Sequence, residues 1–355
     1  MGIMAKLFYK DKAIIGLDIS NTGVKIMAVD TKKWLVLGYG SIDLEPVKVK
    51  EALEGESTYL ADNIQELIKN KLVGTLPSNH VVIGVPTARS FSRTFNLPVD
   101  QEKTLKDAVE VEVDQYIPIP SSTLYIDYEI VERNKTEITV LMSAVSRVII
   151  DNCVAAAESA GLIPSLIEPG MSAVGRLLTA TEDGHLPSVI VDIGPASTDI
   201  AVLEGGSIRV TGGLAIGGNT FTLDIAKKLG VALENAHQLK VLNGLNAGPR
   251  QEKISSALEQ SLQRIVVETR KVIRYYNERL SDDGKKLEQL LVVGSGSNMP
   301  GIGEYFTNEL VMPARVASPW QKLDFGKLPE PAKQFRSRYI TVAGLASVQP
   351  GAIWK

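Results

Sequence analysis

The chain predicts an α/β fold of two similar lobes, with a smaller α+β subdomain inserted into the first. Two observations carry this: a strand, acidic turn, strand unit that occurs twice, and a strand, glycine turn, helix unit near the C-terminus. Length agrees, because 355 residues exceed what one hydrophobic core usually fills.

In the first unit, apolar runs at 13–16 and 24–29 flank the turn formers Asp18, Ser20, Asn21, Thr22 and Gly23. The design returns roughly 170 residues later, where apolar runs at 189–191 and 200–203 flank Asp192-Ile193-Gly194-Pro195-Ala196-Ser197-Thr198-Asp199. Between the two, strands at 81–85, 90–97, 125–131 and 138–145 surround a helix at 101–116, with Asp100 as its cap and Pro118 and Pro120 as its stop. Ile216-Gly217-Gly218 opens a helix to 229, a longer helix spans 253–279, and 290–293 is a strand ending in Gly294-Ser295-Gly296-Ser297-Asn298-Met299-Pro300 before a helix at 302–310. Residues 311–338 read as irregular, and a last helix lies near 341–348. The expected organisation is a first lobe of 1–78, 162–187 and 340–355, an insert of 79–161, a second lobe of 188–228 and 288–339, and a helical subdomain of 229–287.

Composition excludes several functions. Lys and Arg total 38 against 41 Asp and Glu, a formal charge of −3, so no global field attracts nucleic acid or an anionic membrane, although a local basic patch stays possible. The single cysteine, Cys153, rules out an internal disulfide and reads as a buried helical thiol. His80, His185 and His237 lack metal-site spacing. Residues 1–12 do not form a signal peptide, and no run approaches ~18 uncharged apolar residues. The expectation is a cytoplasmic protein that reaches membranes only through partners.

Two short turns, each led by a carboxylate and rich in hydroxyls, suit the grip of a polyphosphate from two sides. Asp18 and Asp192 are the candidate Mg²⁺ holders, through water. Ser20, Asn21, Thr22, Ser197 and Thr198 are candidate phosphate donors, and Gly23 and Gly194 allow close backbone approach. Lys25 either adds charge to the first grip or points to solvent. Gly217 and Gly218 would place free N–H groups near a phosphate or ribose. Gly294, Ser295 and Gly296 would let an adenine lie on the backbone, covered by Met299 or by Glu268 and Lys271 of the long helix. Each piece alone is more often a plain turn or loop; the ordered set of five carries the reading. There is no Walker A sequence, and no Gly-x-Gly-x-x-Gly follows the first strand.

This order resembles the phosphate, connect and adenosine motifs of the actin, hexokinase and heat-shock chaperone superfamily, so the resemblance implies a two-lobed actin-like (ribonuclease H-like) ATPase fold that binds ATP and Mg²⁺. Residues 192–199 resemble its second phosphate motif, with Pro195 and Ala196 in place of glycines. Ile167-Glu168-Pro169-Gly170 resembles the connecting motif that bears a candidate catalytic carboxylate, Glu168, which is either a base for water or a residue that caps or pairs at a lobe boundary. The insert, with Gln115-Tyr116-Ile117-Pro118 followed by Tyr125-Ile126-Asp127-Tyr128, resembles the PilM family of type IV pilus assembly. That resemblance implies a partner, the cytoplasmic tail of the membrane protein PilN, and a link to the pilus motor ATPase, with a homo-oligomer left open. Arg89, Phe91, Arg93 and Phe95 alternate along one strand and are candidates for an extended peptide, or simply a buried strand face. The alternatives are an FtsA-like division filament protein and a small-molecule kinase of the superfamily. The chain ends without the amphipathic membrane helix expected of FtsA, and no second-substrate base appears beyond Glu168.

Overall fold

The computed structural model describes residues 12–182, 186–246, 248, 251–281 and 286–353. The readings made for 1–11, for His185 and for the last two residues lie outside the described residues. In chain order the main elements are β1 (Ile15–Ser20), β2 (Gly23–Asp30), β3 (Leu35–Asp43), α1 (Pro46–Glu54), α2 (Tyr59–Glu66), β4 (Val73–Gly74), β5 (His80–Val85), β6 (Ser90–Pro98), α3 (Leu105–Tyr116), β7 (Leu124–Arg133), β8 (Glu137–Ser146), α4 (Arg147–Ser159), β9 (Ile163–Pro169) and α5 (Gly170–Thr181). They continue with β10 (Ser188–Ile193), β11 (Thr198–Glu204), β12 (Ser207–Leu214), α6 (Gly218–Leu229), α7 (Leu233–Leu242), α8 (Gln251–Arg279), β13 (Gln289–Val293), α9 (Ile302–Leu310), β14 (Ala314–Val316) and α10 (Ile340–Ala346). The chain divides into unit 1 (residues 1–177, 320–330 and 341–355) and unit 2 (178–319 and 331–340).

Unit 1 is built on a sheet of order β4-β3-β2-β1-β5-β9, in which β1, β5 and β9 run parallel. The two-residue period of β1 sends Ile15, Leu17 and Ile19 to one face, where they pack with Ile26, Ile83, Leu53, Ile64 and Cys153. The buried Cys153 thiol is pushed up to about 12 by burial, which agrees with an inert helical cysteine. The other face of β1 and β5 carries Gly16 and Gly84, and the reason is α10. A Cβ on Gly16 would stand 2.4 Å from Val342 O, and one on Gly84 2.6 Å from Leu345 Cδ1.

The insert is an antiparallel sheet of order β6-β8-β7 covered by α3, with Phe95, Leu97, Val109, Val113, Val140 and Met142 in its core. Its helix begins later than predicted. Residues Val99–Thr104 wind as a tighter 3₁₀ segment, tied to the turn between the last two strands of the insert by Val99 N–H donating to Thr136 O, and Asp100 makes no cap. The same sheet carries three of the candidate peptide residues. Phe91, Arg93 and Phe95 point toward α3, where Phe95 is core and the Arg93 guanidinium stacks on the Tyr116 ring, while Arg89 pairs with Glu54 at 2.5 Å. The helix covers Phe95, whereas Phe91 and Arg93 stay partly exposed.

Unit 2 contains five strands in the order β14-β13-β10-β11-β12, with α6, α8 and α9 packed on them through Phe221, Ile225, Leu262, Ile265, Tyr276 and Phe306. The tail expected to be irregular contributes β14, which pairs parallel with β13, Leu290 opposite Ala314. The hydroxyl of Thr307, accepting from Ala314 N–H at 3.0 Å, directs the chain back to the sheet edge. No helix among the described residues is long and apolar enough to cross a membrane.

Candidate functional site

Both hairpins are tighter than their sequences suggest, because Asp18 lies inside β1 and Asp192 inside β10. In unit 1 the register places Lys25 opposite Asp18, Gly84 beside Asp18, and Glu168 beside Gly84. Lys25, Asp18 and Glu168 therefore share one row, with Asp18 and Glu168 about 10 Å apart across two strand spacings. Lys25 settles between its two alternatives by turning inward: its Nζ donates to Asp18 Oδ2 at 2.8 Å and to Ser20 Oγ at 3.1 Å. The Ser20 hydroxyl spends its proton on Gly23 O at 2.9 Å. Gly23 serves strand packing, since a Cβ there would stand 2.5 Å from Ile42 O. The side chains of Asn21 and Thr22 make no hydrogen bond to the described chain, so the tip keeps two free donors.

Glu168 is paired but only halfway satisfied. Arg176 of α5 holds Oε2 and also donates to Gly344 O at 2.8 Å, whereas Glu168 Oε1 is buried without a partner. Burial raises the carboxyl above its ordinary value, with Arg176 opposing. A half-satisfied buried carboxylate is costly, and such a group is a functional-site candidate.

Unit 2 has the same hairpin with different charges. The register sets Asp192 directly opposite Asp199, and burial together with the Asp192 charge pushes Asp199 up to about 7. The turn closes with Gly194 N–H donating to Ser197 O at 2.9 Å. The Ser197 hydroxyl and the N–H groups of Ala196 and Ser197 make no hydrogen bond among the described residues, and successive free amides in a turn are suited to an anion. Thr198 is different, for it is fully buried and donates to Ile216 O at 2.7 Å, which fastens the hairpin to the start of α6.

The Gly217-Gly218 start also differs from expectation. Its first amides are taken: Gly218 N–H donates to Gly194 O at 2.9 Å and Asn219 N–H to Pro195 O at 2.8 Å. A Cβ on Gly217 would stand 2.5 Å from Gly194 O, so these glycines let the helix seat against the turn. Behind that seat lies Lys240 of α7, buried, donating to Gly218 O at 2.7 Å and Thr222 Oγ1 at 2.9 Å, and pushed down to about 8 by burial. It makes no ion pair among the described residues. A cation at the positive end of a helix is adverse unless an anion comes near.

Gly294 has φ +79°, and a Cβ on it would stand 2.2 Å from Asp192 Oδ1, so the glycine turn runs against the carboxylate pair. Gly296 packs on Ile193 in the same way, and Ser295 opens a short 3₁₀ turn. Met299 is buried in the core of unit 2. Glu268 and Lys271 pair with each other at 2.9 Å and line a concavity of about 390 Å³ with Leu214, Arg264 and Val267, which none of residues 294–299 lines. The fold thus gathers Asp192, Gly194, Ser197, Gly217, Gly218, Gly294 and Gly296, and Glu268 reaches the neighbouring stretch of β12, where a Cβ on Gly212 would stand 3.7 Å from Glu268 Oε1 and one on Gly213 3.0 Å from Asp199 Oδ1.

Sequence reasoning noted Asp199 in the turn without giving it a role, and did not single out Lys240 or Arg176. Asp199 was legible, because it and Asp192 are equidistant from the hairpin centre; Lys240 stands four residues after Ala236 on a buried stripe. The two aspartates form a hard-oxygen pair whose repulsion a divalent cation relieves, which fits Mg²⁺. No group of three or more His, Cys, Asp or Glu gathers among the described residues.

Comparison with known proteins agrees with this architecture. Solved structures share the fold over nearly the whole chain: a PilM-PilN type IV pilus biogenesis complex (TM-score 0.77, 21% identity, 95% of this chain and 98% of that one), the ethanolamine utilization protein EutJ from Carboxydothermus hydrogenoformans (0.56, 16%, 96% and 94%), and a non-polymerising MamK mutant bound to AMPPNP (0.51, 14%, 95% and 98%). The fold is therefore actin-like. Among curated relatives, cell division protein FtsA of Neisseria meningitidis is 29% identical over 43% of this chain and 36% of its own length, and FtsA of Escherichia coli K12 is 38% identical over 27% and 23%. The chain thus spans about a third or less of these relatives. The model of the family described as type IV pilus assembly protein PilM matches residues 16–348, so the chain belongs to the PilM family of type IV pilus assembly proteins.

Proposed function

We propose that this protein is an ATP-binding scaffold of type IV pilus assembly that binds the cytoplasmic tail of PilN and links the pilus motor ATPase to the membrane complex. The observation that carries nucleotide binding is the second hairpin: an aspartate pair, free amides at Ala196 and Ser197, and a glycine turn against Asp192. Bound Mg²⁺ would neutralise phosphate charge. Asp192 and Asp199 would hold it, the Ala196 and Ser197 amides and the Ser197 hydroxyl would donate to phosphate oxygens, and Lys240 keeps positive charge behind the turn; Asn21 and Thr22 of unit 1 are kept as candidate donors. Glu168 orients a water through its free oxygen, and turnover is slow or absent.

PilN enters from the family and from its fold neighbour, a PilM-PilN complex. The test is capture of the protein on an immobilised PilN tail peptide, with and without Mg·ATP. Capture is expected; a protein that ignores the peptide while phosphorylating a small acceptor would support a kinase instead. The partial likeness to FtsA keeps a division-filament role as the second reading, which sedimentation of filaments in Mg·ATP would support.

A further inference from the structure

The net charge of −3 conceals one basic end of unit 1. Two loop tips lie side by side there. The tip between β2 and β3 carries exposed Lys32 and Lys33, followed by Trp34; the strip 322–327 carries exposed Lys322 and Lys327. They are joined by Asp324 N–H donating to Trp34 O and Val36 N–H donating to Asp324 O, both at 2.8 Å. Exposed Lys12 precedes β1 at the same end of the sheet, since the start of β1 pairs with the end of β2. The two acids of these loops each accept from backbone amides: Asp30 from Lys32 and Lys33, and Asp324, itself exposed, from Gly326 at 2.7 Å. Within these two loops four lysines stand against two aspartates, a local surplus of positive charge.

Trp34 is the second observation. Its φ is +53°, in the left-handed region where a turn prefers Gly or Asn, and a tryptophan there is strained. Its partly buried ring lies under the Lys322 ammonium, 4.9 Å from the centroid. A bulky aromatic kept at a strained tip and flanked by lysines is an outlier that points to function.

We propose that this end of unit 1 is a docking face for an anionic lipid headgroup surface. Lysines at such a surface gain from its negative potential, and tryptophan favours the headgroup level, where its amphipathic ring is half-solvated. A pair of compact tips with one aromatic suits a plane; a nucleic-acid strand would need a basic groove with several stacking rings. The contact is weak alone and adds to any attachment made through a membrane partner. It goes beyond the scaffold reading and does not depend on nucleotide or PilN.

The experiment is sedimentation of the full chain with vesicles of pure phosphatidylcholine and with vesicles rich in phosphatidylglycerol. The protein is expected on the second only, and released by high salt. Lys32→Gln with Lys33→Gln should weaken partition roughly 20- to 30-fold, and so should Lys322→Gln with Lys327→Gln. Trp34→Gly should weaken it about tenfold at unchanged melting temperature, because glycine accepts the left-handed backbone. Equal binding to both vesicle types, no binding to the anionic ones, or variants that partition like the parent would overturn the proposal. So would a duplex oligonucleotide that displaces the vesicles at equal affinity, which would mark a generic polyanion surface.

Discussion

The two hairpins share a plan and differ in one cross-strand partner. Opposite Asp18 the chain places Lys25, and opposite Asp192 it places Asp199. The first hairpin neutralises itself, with the Lys25–Asp18 pair largely buried at 15% and 9% side-chain exposure. The second concentrates negative charge and holds Asp199 near pH 7. The repeated motif thus builds the same strand geometry in both units, but only the second presents a pair of carboxylates in need of a cation. Of the two aspartates read as metal holders, Asp192 keeps that role in our account, and Asp18 becomes an anchor for Lys25.

Breaking the self-neutralised pair should have the largest effect. Lys25→Met leaves Asp18 buried without its partner, and the loss of stability should be about 3–5 kcal/mol by chemical denaturation. Adding Asp18→Asn should restore much of it, which a double-mutant cycle would measure. Next, Asp192→Asn should lower the Mg²⁺ enhancement of ATP binding about 10- to 100-fold.

Asp199 gives a pH signature. Its folded value lies above the ordinary 3.8, so the folded chain holds an extra proton between pH 3.8 and about 7. Stability from this group is present at low pH and is lost as pH rises through that window. Asp199→Asn should flatten the slope and raise stability at pH 8 by about 1–3 kcal/mol, and Mg²⁺ should stabilise the parent more at pH 8 than at pH 5.5. An unchanged slope in a pH series of melts would contradict the buried carboxylate pair. The smallest effect on binding belongs to Glu168→Ala, expected to abolish any ATP turnover while ATP affinity changes by less than about twofold; unchanged turnover removes Glu168 from catalysis.

Much of the fold was legible because its signals are local. Strand runs, turn formers and the glycines at 217, 218 and 294 mark their elements within a few residues. The roles of side chains were less so, since they depend on what the register brings opposite. Ser20 and Thr198 are hydroxyls in a phosphate-like motif, yet each gives its proton to a nearby carbonyl. The alternation of Phe91, Arg93 and Phe95 was visible, but not that α3 would cover Phe95. Gly217 and Gly218 looked like free amides; close packing of the helix on the turn is what requires glycine.

Calorimetric titration of ATP with and without Mg²⁺, on the parent, Asp18→Asn and Asp192→Asn proteins, tests the account most directly. It predicts that Mg²⁺ tightens ATP binding in the parent and in Asp18→Asn, and that Asp192→Asn loses this dependence. Loss in Asp18→Asn with retention in Asp192→Asn would contradict it.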